Sequence, residues 1–250
     1  MILLPQDWSL IDAVTGERQR SRVAVHRLSR AGWLRPIRRG AYAVRAANGS
    51  IRISALELVG ALTGGPHLLT AGQALAIQRL SDQAFRELVV VVPYDQASWS
   101  WLGVRVRYVR MPESEIWGGR EESFSDLRTT IASPERAILD SLGHPRWGVS
   151  ISQVVEAIDR ASRRDPAFID QFALATARYG NATLARRLGF LVERLQGPDA
   201  ARAFRALRGS THASADLLAQ APRAGAELDS RWRVSENVPF ELLVDHRQLG

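Results

Sequence analysis

Small and apolar positions recur with a helical period between Ser21 and Ala31. With Leu28 at the centre of a helical wheel, Ser21, Ala24, Val25 and Ala31 fall within a quadrant on either side. Arg22, His26, Arg27, Ser29 and Arg30 fall opposite, so the pattern predicts a helix with one apolar face and one cationic face. Ser21 is the expected N-cap and Gly32 the expected glycine that ends the helix with a positive φ. Val23 lies among the basic residues, where a DNA major groove could offer it a thymine methyl. Two short β-favouring runs then flank Arg38-Arg39-Gly40: Trp33, Leu34, Pro36 and Ile37 before it, Ala41-Tyr42-Ala43-Val44 after it. They predict a hairpin whose turn uses the glycine, with Pro36 on an edge strand because proline cannot donate to a ladder.

Upstream, residues 5–16 predict a short helix, with Trp8, Ile11 and Val14 available to pack on Leu28. That leaves about Gly16–Arg20 for the helix that precedes a recognition helix. Downstream, Ala46–Ser50 reads as a boundary between a domain over 1–48 and one over 49–250. Helical spacing returns over 51–63 (Ile53, Leu56, Val59, Gly60, Leu62) until Gly64-Gly65-Pro66, and again over about 71–80. Leu88–Val92 is a continuous apolar run expected to be a strand buried on both faces. Val104–Arg110 alternates with period two and predicts a strand with one wet face. Ser133-Pro134-Glu135 combines a capping serine, a first-turn proline and a first-turn acid, and starts a helix to about Leu142. Ile151, Val154, Val155 and Ile158 mark another. Asn181 caps a helix over 182–195, on which Arg186, Arg187 and Arg194 read as a solvated face. The fold class expected is α+β, with an N-terminal helix-and-wing domain and a larger mixed α/β domain.

Charge changes the picture. All 33 basic residues are arginine, against 26 acids, for a net charge of +7. Residues 1–48 hold nine arginines and three acids (Asp7, Asp12, Glu17), a balance of +6. An arginine-rich amphipathic helix is commonly just a solvated surface helix, but general compositional bias would have spread the charge. Its concentration at one end is the footprint of a polyanion-binding module. A helix followed at once by an arginine-tipped hairpin matches the winged helix-turn-helix arrangement, with the helix in the major groove and the wing at phosphates or the minor groove.

Chemistry is sparse. There is no cysteine, which removes disulfides, thiolate nucleophiles and cysteine zinc sites together. The five histidines (26, 67, 144, 212, 246) show no metal-ligand spacing, so neither a metal nor a cofactor is expected. No Walker A motif or G-x-S-x-G elbow occurs. One enzyme alternative, a small endonuclease, could use Glu241 and Asp245, but it lacks a lysine and a third acid upstream. The expectation is a non-enzyme. No apolar run approaches the ~20 residues of a membrane span, and MILLPQDW does not read as a signal peptide, so a cytoplasmic protein is expected.

Five stretches stand in a suggestive order: LSRAGWLRPIRRGAYAV, HLLTAGQALAIQRL, IASPERAILDSL, YGNATLARRLGFLVERL and LDSRWRVSENVPF. From about Leu28 to Phe240 the chain resembles the AbiEi family, antitoxins of type IV toxin–antitoxin systems. The resemblance implies an N-terminal winged helix-turn-helix that binds inverted repeats of operator DNA and represses its own operon. It also implies a C-terminal domain that counters a nucleotidyltransferase-like toxin without forming a stable complex. On that reading Arg22, His26, Arg27 and Arg30 in the helix and Arg38 and Arg39 in the wing contact DNA, flanked by Arg20 and Arg35, and no catalytic residues are implied. The alternative is a stand-alone winged-helix repressor that senses a ligand through its C-terminal domain, with an apolar pocket at Trp99, Trp101 or Trp117 as the cue.

Overall fold

The computed structural model describes residues 2–3, 7, 18–124, 127–210 and 213–244. In chain order the elements are β1 (Ile2–Leu3), α1 (Arg18–Arg30), β2 (Leu34–Arg38), β3 (Ala41–Val44), α2 (Ala55–Leu62), β4 (Leu68–Thr70), α3 (Ala71–Ile77), β5 (Glu87–Val92), β6 (Trp99–Trp101) and β7 (Val104–Arg110). Then come β8 (Gly119–Phe124), β9 (Leu127–Ala132), α4 (Pro134–Gly143), α5 (Ile151–Arg164), α6 (Phe168–Tyr179), α7 (Ala182–Gln196), β10 (Ala215–Asp216), β11 (Glu227–Asp229) and β12 (Val234–Glu236). The mixture of helices with parallel and antiparallel strand pairs fits the α+β class. The chain forms two compact units. The first comprises Met1–His67, Arg86–Glu113 and Glu121–Thr130, and the second Leu68–Phe85, Ser114–Arg120 and Ile131–Gly250.

In the first unit β1, β3 and β2 form a small antiparallel sheet in that order. Pro36 sits on β2 at its edge, as its missing N–H requires. A bulge between Pro36 and Arg38 precedes a turn at Gly40, whose φ of +80° only glycine adopts cheaply. β5 pairs in parallel with β7, and β6 pairs antiparallel with β7. Leu88 to Val92 are all buried, as the unbroken apolar run predicts. The alternation of β7 holds only partly: Val106 is buried and Arg105 exposed, but Val109 falls in phase with the arginines. Arg105 and Arg107 both face Glu87 on the neighbouring strand, Arg107 at 2.8 Å.

Two sequence expectations for α1 need correcting. The helix starts at Arg18, so Ser21 lies inside it and is not the N-cap. Leu28 is 43% exposed while Val25 is 2% exposed, so the buried stripe is centred on Val25. That is a rotation of roughly 60° from the wheel drawn on sequence. Trp8, Ile11 and Val14, Gly16 at the start of the short second helix, and Asp245, His212 and His246 lie outside the described residues.

Helices α4 to α7 supply much of the core of the second unit. Ser133 accepts from the backbone N–H of Arg136, Ser150 and Gln153 form a reciprocal capping box, and Asn181 accepts from Leu184 N–H at 3.0 Å. Leu139, Val155, Ile158, Phe172, Leu188 and Leu191 are completely buried. A three-stranded sheet follows, β10 parallel and β11 antiparallel to β12.

Within the first unit the tightest backbone approach is at Gly60. A Cβ there would lie 1.6 Å from the carbonyl oxygen of Arg128, and the Gly60 N–H lies 3.1 Å from Thr129 Oγ1. The obstacle is backbone rather than a flexible side chain, so relief requires moving α2. Gly60→Ala is expected to cost at least about 3 kcal/mol in urea-melt stability or to prevent folding; a loss under about 1 kcal/mol would mean that α2 shifts freely.

Candidate nucleic-acid interface

Helix α1 ends as its glycine dictates. Gly32 has a φ of +77°, its N–H donates to Ser29 O at 3.0 Å, and Trp33 N–H donates to Leu28 O at 2.9 Å. These two bonds form a Schellman motif, which satisfies the last carbonyls and turns the chain directly into β2. The short connection brings the helix and the hairpin into one module.

Arg22, His26, Arg27 and Arg30 are exposed, and so are Arg35, Arg38 and Arg39 on the hairpin. Arg20 falls within α1, but its side chain is not among the described ones. Among the described residues none of Arg22, Arg27, Arg30, Arg35, Arg38 and Arg39 forms an ion pair. Val23, 46% exposed, stands between His26, Arg27 and Arg30 at the middle of the open face.

Two of the hairpin arginines also hold the hairpin in place. Arg35 stacks over the Trp101 ring at 5.1 Å from its centroid, and the Trp101 indole N–H donates to Ile53 O at 2.8 Å. Arg38 Nη2 donates to Leu62 O at 2.6 Å, where Gln96 Nε2 also donates at 3.1 Å. Leu62 closes α2, so its carbonyl has no helical partner and carries the negative end of the dipole. Arg38 therefore caps a helix, while Arg39, in the turn, has no such bond among the described residues. Neither tie was legible in sequence, because each acceptor lies more than twenty residues away.

The second unit holds a buried polar cluster that sequence reasoning missed. Arg136 is 1% and Asp140 0% exposed, with Arg136 Nε 3.0 Å from Asp140 Oδ2. The same Oδ2 accepts from Thr70 Oγ1 at 2.6 Å, and Oδ1 accepts from Tyr179 Oη at 3.1 Å. Arg136 Nη1 donates to Glu115 O at 2.9 Å, and its guanidinium lies 4.6 Å from the Trp117 ring centre. Burial, aided by Asp140, holds the Tyr179 phenol well above its ordinary value of 10.0, so it stays a proton donor. The available signal was an Arg and an Asp four apart on an otherwise apolar helix. Every carboxylate oxygen is occupied within the protein, so the cluster reads as structural.

The placement of further residues bears on two of the sequence expectations. Arg186 is 4% exposed, and Arg187 donates to Asp216 O at 2.6 Å, so neither belongs to a solvated face; Arg194 does, paired with Glu236 and Glu241. Trp99 and Trp101 are buried, their indole N–H groups bonded to Tyr108 and Ile53. A cavity of about 500 Å³ lies in the second unit among Leu142, Ile151, Arg187, Leu217 and Leu243. Among the described residues no cluster of His, Asp and Glu could hold a metal ion, and no helix is long and apolar enough to cross a membrane.

No family model and no curated protein matches this sequence. Among solved structures, the chain is similar to the crystal structure of the Rv2827c protein from Mycobacterium tuberculosis. The TM-score is 0.69 at 15% identity, covering 99% of this chain and 90% of that one. At this identity the likeness is one of fold.

The buried pair yields two expectations. Asp140→Asn leaves Arg136 without its counter-charge and should cost about 3–5 kcal/mol in chemical denaturation; a neutral result would show that Arg136 finds another anion. Burial pushes the His144 imidazole below its ordinary 6.5; Arg136 acts in the same direction, while Asp140 and Glu115 oppose it. The unfolded chain therefore takes up this proton at higher pH than the native chain. The corresponding stability is fully present above 6.5 and fades as pH falls towards the native value. His144→Gln should shrink the stability difference between about pH 7.5 and about pH 5, and an unchanged difference would assign it to other groups.

Proposed function

We propose that the protein binds operator DNA through α1 and the β2–β3 hairpin, represses its own operon, and acts as the antitoxin of a type IV toxin–antitoxin system. The observation that carries the DNA reading is the exposed face of Arg22, His26, Arg27 and Arg30 on a helix joined within four residues to a hairpin with Arg39 in its turn. Guanidinium groups left without acidic partners are available to phosphates and to guanine edges. The three-stranded sheet β1-β3-β2 beside such a helix suits a winged helix-turn-helix. The antitoxin assignment rests on the five stretches that resemble the AbiEi family. It gives the second unit the task of countering a nucleotidyltransferase-like toxin, without catalysis and without a stable complex. The protein is placed in the cytoplasm on the same reading. A stand-alone repressor with a ligand-sensing C-terminal region is the second reading, favoured by the cavity of about 500 Å³, a size that suits a small molecule.

Salt-dependent binding separates the roles of the arginines. Arg39→Gln should weaken binding to operator and random duplex alike and reduce the slope of log K against log salt by about 0.9. Arg22→Gln or Arg30→Gln should cost about 1–3 kcal/mol on the operator and much less on random DNA. An unchanged slope for Arg39→Gln would remove the wing from the interface. Co-expression with an adjacent nucleotidyltransferase-like gene tests the antitoxin role: the Arg22, Arg27 and Arg30 variants should lose repression yet still rescue growth. No rescue by the intact chain would leave the stand-alone repressor.

A further inference from the structure

A second concentration of arginine lies far along the chain from α1. A cavity of about 200 Å³ in the second unit is lined by Arg186, Arg208, Arg231 and Arg233, with Ser210 and Trp232 beside them. We propose that it is a binding site for one tetrahedral oxyanion, the phosphate of a small phosphomonoester.

The four arginines come from three segments: Arg186 from α7, Arg208 from the end of the 3₁₀ helix Ala200–Arg208, and Arg231 and Arg233 from the turn before β12. Their guanidinium groups are permanently charged. Among the described residues Glu193 and Asp229 stand near the turn, and neither lines the cavity. Glu193 pairs with Arg231 and also accepts from the Trp232 indole N–H at 2.8 Å. Asp229 accepts from Trp232 N–H at 2.8 Å. Arg231 is thereby paired, whereas Arg186 and Arg208 bond only to neutral groups among the described residues, so cationic charge exceeds anionic charge at these two.

Arg186 carries the argument furthest. It is 4% exposed, and its described partners are neutral: Ala213 O at 2.5 Å and Thr183 Oγ1 at 3.1 Å. Its buried Nε has no partner among the described residues. A buried guanidinium with no carboxylate beside it is costly, and an incoming anion offsets that cost. Arg233 lines the cavity with a φ of +53°, a conformation a non-glycine residue holds only when its surroundings impose it. Arginine forks match the oxygens of phosphate two at a time. The volume suits one phosphate group, being smaller than the ~300 Å³ at which cavities for drug-sized molecules begin.

The test titrates the full-length chain with inorganic phosphate in a chloride buffer of constant ionic strength, followed by calorimetry and ³¹P line broadening. Saturable binding to one site is expected. Arg208→Gln and Arg233→Gln should each weaken it at least about tenfold, a difference of about 1.4 kcal/mol. Arg27→Gln with Arg30→Gln should leave it unchanged, which separates this cavity from the DNA face. Arg186→Gln should abolish it, and the two other variants keep the test valid if that protein does not fold. Competition identifies the source: glycerol phosphate, a monoester, should displace phosphate, and dimethyl phosphate, a diester like a nucleic-acid backbone, should not. Absence of saturation up to about 10 mM phosphate, equal affinity in the Arg208 and Arg233 variants, or equal competition by the diester would each overturn the proposal.

Discussion

The second unit depends on one ion pair that water does not reach. Arg136 and Asp140 sit on consecutive turns of α4 and draw three other pieces of chain to them: Thr70 from β4, Glu115 and Trp117 from the loop before β8, and Tyr179 from the end of α6. Such a pair need not add net stability, because removing two charges from water costs as much as their attraction returns. Its effect is selective. Any arrangement that separates one member leaves the other buried and alone, so competing packings of α4 against these segments are disfavoured. Serine, proline and glutamate at the start of α4 set its phase, and that phase places both charged groups inward.

Local rules explain which elements were legible in sequence. The α+β class, the helices over 51–63 and 182–195, the buried run at Leu88–Val92 and the edge position of Pro36 follow from periodicity, capping and proline chemistry, and the structure has them within a few residues. Helix α6 was missed because its buried positions, Phe168, Phe172 and Thr176, are interrupted by Leu174, which is 73% exposed. β4 and β6 are three residues each, too short for a period to register.

The candidate interface was legible as a composition but not as a geometry. Charge counting located the basic end, and Gly32 and Gly40 located the two breaks in it. The orientation of α1 was misjudged because Leu28 is larger than Val25, yet Val25 is the one that faces the interior. Burial follows the position of a residue around the helix, and size alone is a poor guide to it. The same lesson applies to Arg186, read as solvated because arginine usually is, and in fact buried with its guanidinium bonded to Ala213 O and Thr183 Oγ1.

The anchoring of the hairpin through Arg35 and Arg38 has a bearing on recognition. A basic arm that is free in solution must lose its mobility when it meets a duplex, and that loss subtracts from affinity for every sequence equally. Here the strand carrying the arm is already clamped at two points, over an indole ring and at a helix end. The spacing between α1 and the Arg39 turn is consequently a fixed ruler. If the proposed DNA-binding role holds, such a ruler responds to the width and curvature of a groove as well as to its charge, and pliable and rigid DNA sequences would be told apart even at base pairs that no side chain touches.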